Sequence, residues 1–310
     1  MTPQMTMTPR AWAEMLLLSS IWGAVFLAVR VSLDELGPLT IVAHRVGWAC
    51  VILWAVVRLR GLEVPLSARL MLGFLGMGVL NNAVPFTLQA WGQLHIESGL
   101  VAILNAGTAV WGVLIAALFM ADERLSTQKL VGVCLGFLGV ATAVGLSELA
   151  SLDLRSLGQL AVIGSTISYA LAGVWARTYL KGLHPLVQAA GMLTASTLIM
   201  IPLAWTVEGP LTLALEPRTW AALAFLTVIA TATAYLLYYR VLAMAGSGNL
   251  MLCTLLIAPI AIILGALFLG EALPTNAFIG FAILAAGLVI LGGKAPFRRS
   301  NAALRGKNQR

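Results

Sequence analysis

The chain has 310 residues, 60% of them hydrophobic and only 10% charged, with a formal net charge of +7. Soluble domains carry about 25% charged residues, and a globule of this length cannot bury so much apolar surface while still covering itself with polar groups. These figures exclude a soluble enzyme, a nucleic-acid-binding protein and a disordered chain, and leave a polytopic membrane protein. Hydrocarbon admits only helices and closed barrels. The apolar runs here are roughly 20 residues long, the helical span length, unlike the short alternating segments of a barrel.

In chain order, polar breaks separate ten apolar blocks at 11–32, 39–57, 70–90, 98–120, 128–146, 157–179, 184–206, 218–240, 248–269 and 274–293. The run behind the N-terminus is too long for a signal-peptide core and reads as a retained first span. The shortest breaks are WGQLHIES, from Trp91 to Ser98, and the glycine-serine turn AMAGSGN at 243–249. Cys50, Cys134 and Cys253 each fall inside a block without a CxxC partner. They read as packing residues, and no disulfide, metal site or cofactor is expected.

Basic residues set the orientation. With the N-terminus inside, the cytoplasmic loops and tail take every Lys and Arg except Arg30, Arg155 and Arg218 outside and Arg45 within a span. Most acids fall on the other face. Both termini are therefore expected in the cytoplasm, with the basic tail 294–310 resting near anionic lipid.

The chain also resembles itself at an offset of about 147 positions: Arg30 aligns with Arg177, Pro38 with Pro185, Glu123 with Glu271, Gly132 with Gly280 and Gly139 with Gly287. Each unit holds five spans. Five is odd, so the second copy enters the membrane from the opposite face, the inverted-repeat arrangement of transporters. The expected fold is an all-α integral membrane protein, ten transmembrane helices in two inverted five-helix repeats at 11–147 and 157–293. An old duplication kept only for packing is the plainer alternative.

These residues bear a family resemblance. Ile21, Trp22 and Gly23 in the first span, Pro38 before the second and Arg45 within it resemble the EamA-type module, as do the hairpins ADERLSTQKLVG and GEALPTNAFIG. Two tandem modules resemble a ten-helix drug/metabolite transporter over about residues 11–293. The resemblance implies outward movement of amino acids, other metabolites or drugs, and it is similar to aromatic amino-acid exporters.

No HExxH, GxSxG or Walker A motif is present, so neither an enzyme nor an ATP-driven pump is expected. All acids fall in loops or at span ends, whereas ionisable groups at membrane depth default to function. Only His44 and Arg45 lie clearly within a span. His44 suits a substrate ligand or proton carrier, or a packed histidine. Arg45 keeps its proton; it suits a substrate carboxylate, or a structural or gating role at backbone carbonyls. Without a buried carboxylate, uncoupled or weakly coupled exchange is the simplest mechanism.

Polar uncharged groups complete the candidate site. Asn81, Pro85 and Gln89 recur every fourth residue and share a helix face, with Asn82 beside them. Span four offers Asn105, Thr108 and Trp111; span six Ser168 and Tyr169; span eight Tyr235 and Tyr238. With Trp22 and His44 they form the expected substrate-binding set. Interhelical hydrogen bonding is the alternative for each. Pro85 and Pro259 are expected as hinges beside Arg45. Gly132, Gly136 and Gly139, opposite Ala282 and Ala286, read as a close helix contact or a homodimer face. The expected partners are a small-molecule substrate and membrane lipid, with no nucleic acid, for a monomer or homodimer in a bacterial inner membrane. A multidrug or toxic-compound exporter, and a non-transporting scaffold or sensor, are the other readings.

Overall fold

A computed structural model describes residues 8–65, 67–120, 126–144 and 153–291. The basic tail 294–310 and Glu123 of the first hairpin lie outside the described residues. Among those described, the secondary structure is entirely helical: α1 Pro9–Ser32, α2 Pro38–Leu59, α3 Ala68–Gly92, α4 Ser98–Phe119, α5 Thr127–Val144, α6 Leu154–Tyr179, α7 Pro185–Glu208, α8 Pro217–Tyr238, α9 Leu256–Leu269 and α10 Thr275–Leu291. Seven of them are long and apolar enough to cross a membrane by themselves; α5, α9 and α10 are shorter apolar helices.

The starts of these helices are written in the sequence. Pro9, Pro38, Pro185 and Pro217 each open a helix, where a missing N–H costs nothing. Side chains close several of the remaining donors: Ala11 N donates to Thr8 Oγ1 at 3.2 Å, Leu70 N to Ser67 Oγ at 3.2 Å and Ser156 N to Asp153 Oδ1 at 2.9 Å.

Three features depart from the sequence reading. The backbone stays helical over Ala234–Leu264, through the expected turn at 243–249. That segment still folds back. Arg240 pairs with Glu14 and Cys253 meets Ser19. Glu14 and Ser19 are about 7.5 Å apart along α1, whereas 240 and 253 would be about 20 Å apart on a straight helix. Second, α4 breaks at Ala106 and Gly107 between two helical stretches, Ser98–Asn105 and Thr108–Phe119. Third, wide π-helical turns occupy Gly78–Ala83 in α3 and Phe225–Thr233 in α8, the matching place in each repeat.

Packing repeats as well. α2 lies against α7 and α5 against α10, while α6 packs on α3 and α4 as α1 packs on α8 and the segment leading to α9. The α5–α10 contact is backbone-close. A Cβ on Gly280 would collide with Ala143 N, and one on Gly139 would collide with Leu284 N. The α10 side of this contact is Gly280 and Gly287, which are buried, rather than the expected Ala282 and Ala286, which are exposed. The glycine face is thus consumed within the chain.

Candidate substrate cavity

Between the two sets of five helices lies a cavity of about 500 Å³. Helix α1 contributes Trp22, Val25 and Phe26; α2 contributes Arg45; α3 contributes Met77, Asn81, Phe86 and Gln89; α4 contributes Asn105 and Thr108. From the second half come Tyr169, Gln188, Met192, Thr231, Tyr235, Tyr238, Thr254 and Ile257 with several alanines and Gly173. Among the described residues no Asp or Glu lines it.

The amides are held in place by one another. Gln89 Nε2 donates to Asn105 Oδ1 at 2.9 Å and to Ser165 Oγ at 3.1 Å, tying α3 to α4 and α6. Asn105 sits at the break in α4, where its own carbonyl accepts from Thr108 Oγ1 at 2.7 Å. Asn81 Nδ2 lies 3.4 Å from the Tyr235 hydroxyl and 3.7 Å from Met192 Sδ. The Trp22 and Tyr238 rings meet at 5.8 Å and 40°, forming an aromatic wall.

Arg45, expected as a structural or gating group, reaches this cavity from α2. It is 8% exposed. Its Nε donates to Thr231 Oγ1 at 3.0 Å, and its guanidinium carbon stands 3.8 Å from the Phe86 ring centroid. The expected structural role, bonding to backbone carbonyls, does not describe this placement, since its hydrogen-bond partner is the Thr231 hydroxyl.

Six expected positions lie elsewhere. Asn82 is fully buried between α3 and α7, its Nδ2 donating to Ser196 Oγ at 2.9 Å. It lies within the π-helical turn and behind Asn81, whose Nδ2 stands 3.3 Å from Asn82 Oδ1, and it does not line the cavity. Ser168 donates to Leu80 O at 2.7 Å, serving a carbonyl of that turn. Trp111 packs edge-on against Phe137 of α5 at 4.8 Å. His44 is buried against Trp220 of α8 at 6.2 Å, its Nε2 without a partner among the described residues. Pro85 is buried just past the π-helical turn, and Pro259 sits inside its helix; neither lines the cavity.

Acidic side chains act at the ends of the bundle. Glu271 accepts from Ser98 N at 3.0 Å and Ser98 Oγ at 2.7 Å, capping α4 from the α9–α10 connection. Glu208 does the same for α2 through Leu39 N and Thr40 N. Arg155 grips Glu97 with both terminal nitrogens, each at 3.1 Å. All these contacts lie at the end of the bundle opposite Arg69, Arg177 and Lys181. The cavity instead reaches toward that basic end, through Met77, Ala176 and Gln188.

A helical protein with a largely apolar cavity, set with a few polar groups, between two like halves matches known proteins closely enough to be classified. The EamA-like transporter family matches residues 11–145 and 156–293. The chain belongs to that family. It is 23% identical over 286 residues to an uncharacterized transporter of Archaeoglobus fulgidus, across 91% of this chain and 97% of that one. It is 25% identical over 312 residues to a probable terminal-alkyne amino-acid exporter of Streptantibioticus cattleyicolor, across 98% of this chain and 100% of that one. A solved crystal structure shares the fold at a TM-score of 0.66 and 17% identity, covering 93% of this chain and 99% of that chain. This EamA-like protein is an integral membrane transporter of a small molecule, and not an enzyme.

The EamA-like cavity also holds residues that the sequence did not single out. Phe86 follows Pro85 in an apolar run, and nothing in its spacing marks it. Thr254 and Ile257 lie beyond the expected turn, where the period is hard to follow. Gln188 was a detectable signal, a lone amide in the first turn of α7; its Nε2 donates to Leu180 O and Leu183 O.

Proposed function

We propose that this protein exports small amphipathic metabolites, most simply amino acids with a large apolar or aromatic side chain, by alternating access between two inverted five-helix halves. The cavity carries the reading. Its volume, about 500 Å³, is in the range of small-molecule sites. Its lining combines amides that satisfy polar ligand groups with rings that cover an apolar one. The relative named a probable terminal-alkyne amino-acid exporter supports the substrate class.

Rocking of one half against the other would open the cavity to each face in turn. We read the state described here as facing the cytoplasm. The cavity points to the end bearing Arg69, Arg177 and Lys181, which the positive-inside rule sets in the cytoplasm together with both termini. The Glu271–Ser98 and Glu97–Arg155 contacts hold the outer end shut. A bacterial inner membrane is the setting we propose.

With no acid among the described residues of the lining, no group there is suited to exchange a proton or sodium ion against substrate. The carrier then works as a facilitated exchanger. A multidrug exporter for toxic cations is disfavoured by the same fact, since a buried cation faces the ligand. A scaffold or sensor would have no use for the cavity.

Counterflow in proteoliposomes tests this. Preloaded L-phenylalanine or L-leucine should draw in labelled substrate, unchanged by a protonophore. Accumulation that needs a proton gradient would overturn the uncoupled mechanism, and no counterflow of any apolar amino acid would overturn the substrate class.

A further inference from the structure

We propose that Arg45 is the carboxylate-binding subsite of the cavity, and that it makes the carrier select carboxylated ligands over their neutral-headed or cationic analogues. The proposal rests on the transport reading above and names the chemistry of one end of the substrate.

The argument begins with burial. Arg45 is 8% exposed, and a guanidinium does not shed its proton in a protein. A buried cation needs compensation. Among the described residues Arg45 has no acidic partner; its one hydrogen bond is Nε to Thr231 Oγ1 at 3.0 Å. Phe86, 3.8 Å from the guanidinium carbon, covers one face with the negative side of its ring. That partial compensation fixes the plane of the group and leaves the Nη1–Nη2 edge uncommitted.

An edge with two parallel donors fits a carboxylate better than any other small acceptor, because both oxygens can be engaged at once. Thr231 and Phe86 come from opposite halves, so the fork is held only when α2, α3 and α8 are together. Asn81, Tyr169 and Tyr235 line the same cavity and offer further polar contacts to the headgroup. Trp22 and Tyr238 offer the apolar surface for the rest of the ligand. Lysine in place of Arg45 would keep the charge and lose the two-pronged geometry.

The test is binding to purified full-length protein in detergent or nanodiscs, with three probes: L-phenylalanine, L-phenylalaninamide and 3-phenylpropionate. Wild-type protein should bind the carboxylates at least about tenfold more tightly than the amide. Arg45→Gln should weaken carboxylate binding by at least about tenfold and leave amide binding within about twofold, so discrimination disappears. Arg45→Lys should fall between the two. Thr231→Val, which frees the guanidinium without removing it, should reduce discrimination by a smaller factor and guards against a folding failure of Arg45→Gln. The thermal unfolding midpoint of each variant reports the fold separately. Equal discrimination in wild type and Arg45→Gln would overturn the proposal, as would wild-type protein that prefers the amide. If 3-phenylpropionate binds in an Arg45-dependent way and L-phenylalanine does not, the subsite stands and the amino-acid reading fails.

Discussion

The two halves share a backbone plan but not a lining. Both carry a wide π-helical turn at the same place, Gly78–Ala83 and Phe225–Thr233, and both pack their first helix on the third and fourth of the other half. Yet the first half brings Arg45 and the amides Asn81, Gln89 and Asn105, whereas all three cavity tyrosines come from the second. Like backbones can exchange roles in a rocking motion. Unlike linings give a ligand a preferred orientation, its charged end toward the first half. In the carrier proposed above, symmetry would serve movement and its violation recognition.

Variants that remove either property sharpen the comparison. The largest effect is expected from Gly280→Leu. The α5–α10 contact leaves no room for a side chain, since even a Cβ would collide with the Ala143 backbone. Forced overpacking of this kind costs about 1–3 kcal/mol or more, so the protein should fail to accumulate in the membrane, seen by size-exclusion of solubilised material. Gln89→Leu comes next. It removes the bridge to Asn105 and Ser165, and counterflow should drop by about tenfold or more while the protein still folds, given that a buried acceptor left unpaired costs about 1–3 kcal/mol.

Tyr238→Ala should weaken ligand binding by about tenfold through loss of the wall shared with Trp22. Asn82→Leu separates the two roles from the other side. Its partners are Ser196 in the α3–α7 contact and the neighbouring Asn81, so stability should fall by about 1–3 kcal/mol while affinity for ligand falls less than in Tyr238→Ala. The smallest change is expected from Glu97→Gln. Arg155 and Glu97 are 30% and 26% exposed, and pairs of that kind contribute about 0–1 kcal/mol. Thermal unfolding should barely register it.

Much of the fold is legible without coordinates because lipid enforces simple rules. Span length, proline at helix starts and the bias of Lys and Arg are all one-dimensional signals, and most helices start within a few residues of their expected blocks. Eight of the expected substrate-binding residues line the cavity, among them Asn81 and Gln89, because an amide in a span must face protein. The remainder depends on azimuth. Asn82 is as polar as Asn81, but it lies within a π-helical turn that changes the residues per turn, and Ser168 is taken up by the Leu80 carbonyl of that same turn. No pattern in FLTVIATAT or GVLNNA announces those turns. For Arg45 the sequence leaves a carboxylate ligand and a structural role side by side, because the presence or lack of a counter-ion is a property of the assembled bundle and of no single helix; among the described residues no acidic partner is present.

The central claim is that the cavity is a passage reached from one face at a time. Gly173 lines it, and a Cβ there would meet nothing within 4 Å, so Gly173→Cys fits without distortion. In a background with Cys50, Cys134 and Cys253 replaced, a membrane-impermeant maleimide should label this thiol from the cytoplasmic face of inside-out vesicles, and bound substrate should slow the labelling. Labelling from neither face of the membrane, or labelling at the same rate with and without every ligand that drives counterflow, would contradict the account.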